Sequence, residues 1–142
     1  MTSHYQKLQN LFLNSRINKT LDAQIKIGEG ISEISFSKKE FMHNEVKEIH
    51  SAYCHMALDS SAYFAANSLI EDVSTMVKSF EIIYVRSSKS KKFIAKGKFL
   101  EKSMGNYIIS SELFDDDENL ICKAKGVFRR SKNSLKEINN YE

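Results

Sequence analysis

The chain has 142 residues, of which 42% are apolar and 27% charged, and these values predict one globular domain with a modest core. The composition excludes a disordered chain, and a formal net charge of +3 without a nucleic-acid-reading motif argues against a DNA- or RNA-binding protein. No segment approaches the roughly 20 apolar residues of a membrane span, and the first residues lack a signal-peptide pattern, so we expect a cytoplasmic protein.

The first third of the chain predicts a helix followed by a hairpin. Residues 4–17 carry apolar side chains at near-helical spacing, which indicates a short amphipathic helix. The stretch DAQIKIGEGISEISFS alternates apolar and polar residues around a Gly-Glu-Gly turn, as expected for two paired strands. Residues 38–48 are polar and irregular, and we interpret them as a loop.

A helix rich in small residues, the thin helix, is predicted over residues 51–69. Its many Ala and Ser residues would let a curved sheet approach the helix backbone closely. A few large side chains would fill the remaining volume: Tyr53, Met56, Leu58, Tyr63 and Phe64.

Four strand candidates follow the thin helix, and the last three are typical of an antiparallel meander. These candidates are residues 72–87, 91–103, 105–115 and 119–131. The order of elements predicts an α+β fold, in which one long central helix is wrapped by a curved antiparallel sheet of five or six strands. We divide the chain into an N-terminal helical segment, a main domain and a polar tail that we expect to fray, at 1–20, 21–132 and 133–142.

Asp59 is the candidate for chemistry in the thin helix, because an ionised carboxylate is costly to bury among small and apolar side chains. Two interpretations are open: Asp59 is exposed or hydrogen-bonded for structural reasons, or it faces a pocket with a raised pKa. His50 lies nine residues earlier, which places the two side chains on opposite helix faces. They can therefore meet more readily across a dimer interface than within one subunit.

The start of the thin helix can act as an anion site, since its N–H groups and dipole can stabilise a thioester oxyanion. Here the chain resembles hotdog-fold acyl-CoA thioesterases of the phenylacetate-pathway and thioesterase-superfamily-member type. Asn44, His50 and Asp59 have the spacing of that family's Asn, His-Gly-Gly and acid. The resemblance covers roughly residues 23–130 and implies a hotdog fold.

The resemblance implies a role for each of these residues. Asp59 would be the general base or nucleophile toward the thioester carbonyl, Asn44 would position the attacking water, and His50 would order the turn before the helix. The backbone N–H near Ser51 or Ala52 would polarise the carbonyl. These two residues replace the family's glycines, so the N–H groups remain but the added Cβ atoms narrow the approach to them.

A second resemblance carries the alternative function. The segments ANSL at 66–69 and RSK at 130–132 are similar to ones in the hotdog domain of the malonyl-CoA-responsive lipid regulator, which binds acyl-CoA without hydrolysing it. The first resemblance thus implies an acyl-CoA thioesterase, and the second implies a non-catalytic acyl-CoA-binding or sensing protein. A dehydratase-type hotdog enzyme is a weaker third interpretation.

The expected assembly is a homodimer in which the meander strands extend the sheet across the subunit boundary. Whether such dimers pair into tetramers stays open. The expected partner is the acyl-CoA ligand, with no nucleic acid and no membrane span.

Two basic clusters could hold the phosphates of coenzyme A, since clustered cations suit a pyrophosphate and a 3′-phosphate. One cluster, before the first meander strand, contains Arg86, Lys89 and Lys92. The other, at the end of the last strand, contains Arg129 and Arg130. Coenzyme A would enter as part of the ligand, so we expect no separate cofactor.

No metal site is expected from the sequence. The acidic run DDDEN at 115–119 lacks the central Gly and closing Glu of a calcium loop, and it is better interpreted as a hairpin turn. His50, Cys54 and His55 do not have zinc-type spacing. Cys54 and Cys122 are interpreted as small buried side chains.

Overall fold

The computed structural model describes residues 2–142, and its six strands form one antiparallel sheet around a central helix. The elements are α1 (His4–Leu13), α2 (Arg16–Leu21), β1 (Gln24–Gly28), β2 (Ile31–Ser37), α3 (Ser51–Asn67), β3 (Val73–Tyr84), β4 (Lys92–Ser103), β5 (Asn106–Asp115) and β6 (Leu120–Ser134). The α+β architecture with one long central helix is confirmed. The single N-terminal helix expected over 4–17 is instead two helices, because α1 ends at Leu13 and α2 begins after Ser15.

The close contact between α3 and the sheet explains why this helix is rich in small residues. Gly97 of β4 lies under the helix, and a Cβ atom there would overlap the backbone carbonyl of Ser61. The same carbonyl accepts a hydrogen bond of 2.5 Å from the hydroxyl of Ser32 in β2. Ala62 and Ala65 are fully buried beside it. Larger side chains at these positions would hold the helix and the sheet apart.

The N-terminal helix and the end of the chain cover part of α3 that the sheet leaves open. Phe12 of α1 packs edge-to-face against Phe64, with ring centroids 5.5 Å apart. The ring nitrogens of His4 contact the carbonyl of Asn67 at 2.8 Å and the hydroxyl of Tyr141 at 2.7 Å. Leu135 is fully buried. The polar tail therefore docks onto α1 rather than fraying, because Leu135 and Tyr141 give it apolar contacts.

The sheet has the order β1-β2-β4-β5-β6-β3, so its edges are β1 and β3. The meander strands β4, β5 and β6 are interior strands, and this corrects the expectation that they extend the sheet across a subunit boundary. An extension of the sheet would have to use an edge strand. Among the described residues, no helix is long and apolar enough to cross a membrane.

Candidate functional site at the start of the central helix

A cavity of about 420 Å³ opens at the N-terminal end of α3, and we call it the helix-start cavity. Its walls include four residues that the sequence singled out, namely Asn44, His50, Ser51 and Arg86. The loop before α3 and the connection after β3 supply these residues. The fold thus brings together side chains that are far apart in the sequence.

His50 caps the central helix. Its Nδ1 accepts a hydrogen bond of 2.9 Å from the N–H group of Ala52, so Nδ1 carries no proton. Its own N–H donates to the carbonyl of Met42 at 2.8 Å, which ties the preceding loop to the helix. The Ala52 N–H is therefore engaged, and of the two predicted donors Ser51 is the one left for a ligand.

Asn44 closes the turn that leads into the cavity wall. Its Oδ1 accepts hydrogen bonds of 3.0 Å from the N–H groups of Val46 and Glu48. Its backbone N–H also donates to the carbonyl of Glu48 at 2.8 Å. Because Oδ1 already serves the turn, the Nδ2 amide is the group that can donate to a bound molecule.

The opposite wall is anchored through Ser88, which lies in the connection between β3 and β4. The Ser88 carbonyl accepts a hydrogen bond of 3.1 Å from Ile49, the residue before His50. The Ser88 hydroxyl donates to Oδ2 of Asp115 at 3.2 Å. The side chain of Arg86 reaches Asn119 in the same turn, with Nη1 at 3.3 Å from Oδ1. The β5–β6 turn therefore holds both walls of the helix-start cavity in place.

Asp115 organises that turn. Burial acts to raise the pKa of Asp115, but hydrogen bonds from Asn119, Asp117 and Ser88 outweigh it and hold the pKa below its ordinary value. The carboxylates of Asp115, Asp116 and Asp117 lie within 4.8 Å of one another. Since the Asp115 oxygens already accept these hydrogen bonds, the segment acts as a polar hairpin turn.

Asp59 lies further along α3, beside β3. His55, one turn earlier, packs against Phe80 of β3 with ring centroids 5.5 Å apart and ring planes tilted by 38°. Asp59 is half-buried, and loss of solvent raises the pKa of its carboxyl, partly offset by the nearby His55.

Asp59 and the helix-start cavity are separated within one protomer. Nine residues of helix correspond to about 13 Å along its axis. Asp59 is not one of the described residues that line the cavity. Asp59 and His50 of one protomer therefore do not line the same cavity, which fits the expectation that they meet more readily across a dimer interface.

The predicted phosphate-binding residues fall into separate places. Lys89 and Lys92 line a groove next to the helix-start cavity. Arg129 and Arg130 pair with Met76 and Thr75 at the start of β3, which is the far end of the strand from the cavity. Arg130 forms an ion pair of 2.5 Å with Asp72, and Arg129 donates to the carbonyl of Met104 at 3.4 Å. One protomer therefore cannot bring all five cations to one ligand.

Cys54 and Tyr84 also line the helix-start cavity, although neither was expected there from the sequence. Cys54 contacts Cys122, and both thiols are buried and free, as expected from the sequence. The contact with Cys54, together with burial, raises the pKa of Cys122, so that thiol is not a nucleophile at neutral pH. The sequence carries no signal for this, because Tyr84 pairs with Cys122 only in the folded sheet.

No protein-family model matches the chain. A protein of Sulfurisphaera tokodaii named "Putative esterase" is 24% identical over 104 residues, which covers 72% of this chain and 77% of that protein. The E. coli PaaI protein from the phenylacetic acid degradation operon superposes with a TM-score of 0.82 at 17% identity, covering 93% of this chain and 99% of that one. A thioesterase family protein from Silicibacter pomeroyi superposes with a TM-score of 0.83 at 17% identity, covering 89% of this chain and 97% of that one.

The sheet order, the single central helix and these superpositions agree over nearly the whole chain. At such low identity they establish architecture rather than activity. The predicted resemblance is confirmed at that level, and the chain has the hotdog fold of the PaaI-type structures of the thioesterase superfamily.

Proposed function

We propose that the protein is an acyl-CoA thioesterase that hydrolyses its ligand at the start of α3. The observation that carries the proposal is the grouping of Asn44, His50 and Ser51 around one helix N-terminus, in a cavity of about 420 Å³. A helix N-terminus favours the oxyanion that forms when a thioester carbonyl is attacked. The likeness to thioesterase-superfamily structures supports the same reaction class.

In the proposed reaction, water attacks the thioester carbonyl and Asp59 accepts the proton from that water. The Ser51 N–H donates to the developing oxyanion, while the Asn44 amide helps to place the water. The new C–O bond then replaces the C–S bond, and the departing thiolate takes the proton back from Asp59. The products are a carboxylic acid and free coenzyme A.

The proposed active unit is a homodimer formed along β3, in which Asp59 of one protomer meets the helix start of the other. This edge strand has 12 residues and no proline, so its free backbone groups can pair with a second copy. It also carries exposed apolar side chains, including Met76, Val77 and Ile83 at 45–52% exposure. Two antiparallel β3 strands would bring one helix start toward the middle of the other helix.

The direct test is release of free thiol from a panel of acyl-CoA substrates of different chain length. We expect Asp59→Asn to lower kcat by about 100-fold or more, because the amide cannot accept the proton from water. Asp116→Asn, an exposed turn acid, is the matched control and should keep wild-type activity. Hydrolysis of no substrate by the wild type, or full activity in Asp59→Asn, would refute the proposed reaction.

The second candidate is an acyl-CoA-binding or sensing protein without turnover. Two observations favour it: the Ala52 N–H is occupied by His50, and Ser51 adds a Cβ atom where the family has glycine. Binding of acyl-CoA measured by calorimetry, combined with no thiol release, would select this function over hydrolysis.

A further inference from the structure

Cys54 and Cys122 are the two cysteines of the chain, and the fold brings them together beside the helix-start cavity. Cys54 lies in the first turn of α3 and Cys122 near the start of β6, yet their thiols share a hydrogen bond. We propose that they are a thiol pair that reduces a small hydroperoxide and closes an intramolecular disulfide. This inference goes beyond the proposed function, because it needs neither Asp59 nor a thioester.

The two thiols differ in their access to the helix-start cavity. Cys54 lines the cavity with 2% of its surface exposed, whereas Cys122 is fully buried and is not one of the described lining residues. A cavity of about 420 Å³ admits hydrogen peroxide, while the small exposed fraction of Cys54 hinders bulky thiol reagents. Cys54 is therefore the thiol that meets the oxidant, and Cys122 lies behind it.

The surroundings of Cys54 favour its thiolate, which is the form that attacks a peroxide. Its place in the first turn of α3 exposes it to the positive end of the helix dipole. The hydrogen bond from the Cys122 thiol lowers the pKa of Cys54 and outweighs the opposing effect of burial. The same contact raises the pKa of Cys122, so that thiol keeps its proton while Cys54 is a thiolate.

The proposed reaction has two steps. In the first, the Cys54 sulfur attacks one peroxide oxygen, an S–O bond forms as the O–O bond breaks, and water leaves. The sulfur is thereby oxidised to a sulfenic acid, and the peroxide takes up two electrons. In the second step, the Cys122 sulfur attacks the Cys54 sulfur, and the S–S bond replaces the S–O bond. The Cys122 proton leaves in a second water, so two thiols and one hydrogen peroxide give one disulfide and two waters.

The first step prepares Cys122 for the second. Its contact with Cys54 is the largest cause of the raised pKa of Cys122. That cause ends once Cys54 is a neutral sulfenic acid, so Cys122 can release its proton as it attacks. Because the two side chains already lie in contact, the sulfenic acid meets Cys122 without a rearrangement of the core.

The test compares the reaction of hydrogen peroxide with the native protein and with the urea-unfolded chain, measured as the rate of thiol loss. We expect the native protein to react about tenfold faster or more, because unfolding removes the contact and the helix that favour the thiolate. Mass spectrometry of the native product should show the loss of two hydrogens and a linked pair of Cys54 and Cys122 peptides. Dithiothreitol should restore both thiols.

Two single variants separate the roles of the thiols. Cys122→Ser keeps the thiol at the cavity and a hydroxyl donor behind it, so it should stop at a sulfenic acid that dimedone traps. Cys54→Ser keeps the buried thiol alone and should react about tenfold more slowly than the wild type, or less. Thermal unfolding checks the fold of each variant, and the corresponding Ala variant replaces a Ser variant that does not fold.

Slower thiol loss in the native protein than in the unfolded chain would overturn the inference, because burial would then only protect the thiols. A disulfide between two chains, or sulfinic acid in place of the internal disulfide, would also overturn it. Thiol loss that accelerates in urea below the unfolding transition would show that Cys54 reacts only when the core opens, which refutes access through the cavity.

Discussion

The Ser88 hydroxyl donates a hydrogen bond of 3.2 Å to the buried carboxylate of Asp115, while the Ser88 carbonyl accepts one of 3.1 Å from Ile49. Ser88 thus links the β5–β6 turn to the residue just before the cap of the central helix. The helix-start cavity depends on a hairpin turn that contributes no residue to its lining.

Asp115→Asn should lower the free energy of unfolding at neutral pH and make it depend less on pH in the acid range. The folded state holds the pKa of Asp115 below the ordinary value, so the carboxylate stabilises the fold above that value. This contribution is lost as pH falls through the depressed pKa. Urea unfolding between pH 3 and pH 7 measures it, with Asp116→Asn as the exposed control. If the free energy of unfolding falls with pH as steeply in Asp115→Asn as in the wild type, Asp115 is not the group responsible.

Gly97→Ala should destabilise the fold by about 1–3 kcal/mol, because the new methyl group meets the Ser61 backbone carbonyl and neither backbone can yield freely. Gly28→Ala is the matched control, since a Cβ there meets the Ile31 side chain at 3.2 Å, which can rotate away. Thermal and chemical unfolding compare the two. Equal stability losses would show that the helix does not rest on Gly97 as described.

The pH dependence of kcat/KM should report Asp59. Burial raises the pKa of this carboxyl, so activity that needs the ionised base should appear above the ordinary value of 3.8. The stability effect has the opposite sense: stability should fall as pH rises through the raised pKa, because the folded state binds the proton more tightly. Asp59→Asn should remove both effects. If kcat/KM of the variant still falls at acid pH as in the wild type, that fall belongs to another group.

Charged side chains on the free edge of β3 should disrupt the proposed dimer. Val77→Lys/Ile83→Lys places two like charges where the second copy would pair, and we expect monomers with little thioester hydrolysis. Ile31→Lys changes an exposed apolar residue on β2 and should leave the assembly unchanged. Sedimentation or scattering gives the mass. A monomeric, fully active wild type would exclude the shared site.

Alternating sequence patterns made most of the fold predictable. Ala95 and Gly97 alternate with the exposed Lys96 and Lys98 along β4, and both are buried as expected. The break between α1 and α2 was not visible, because apolar residues continue at near-helical spacing up to Ile17. The docking of the tail was also not predicted, because Leu135 and Tyr141 are too few apolar residues to stand out in a polar segment.

The candidate site was only partly predictable. Asn44, His50 and Ser51 were found because they are close in sequence and follow a spacing pattern. Cys54 and Tyr84 were missed, because one lies on the central helix and the other at the end of β3, and they line one cavity only in the folded chain. Residues assembled from two distant segments leave no periodic trace in one sequence.

The contact between Gly97 and the Ser61 carbonyl also fixes how the protein can respond to a ligand. The helix cannot slide by one residue, since that would move the Ser61 carbonyl off the one position in β4 that lacks a side chain. Adjustment to ligands of different length therefore has to come from the two segments that flank the helix start. Hydrogen exchange upon ligand addition should change in those segments and leave the amides of the helix centre untouched.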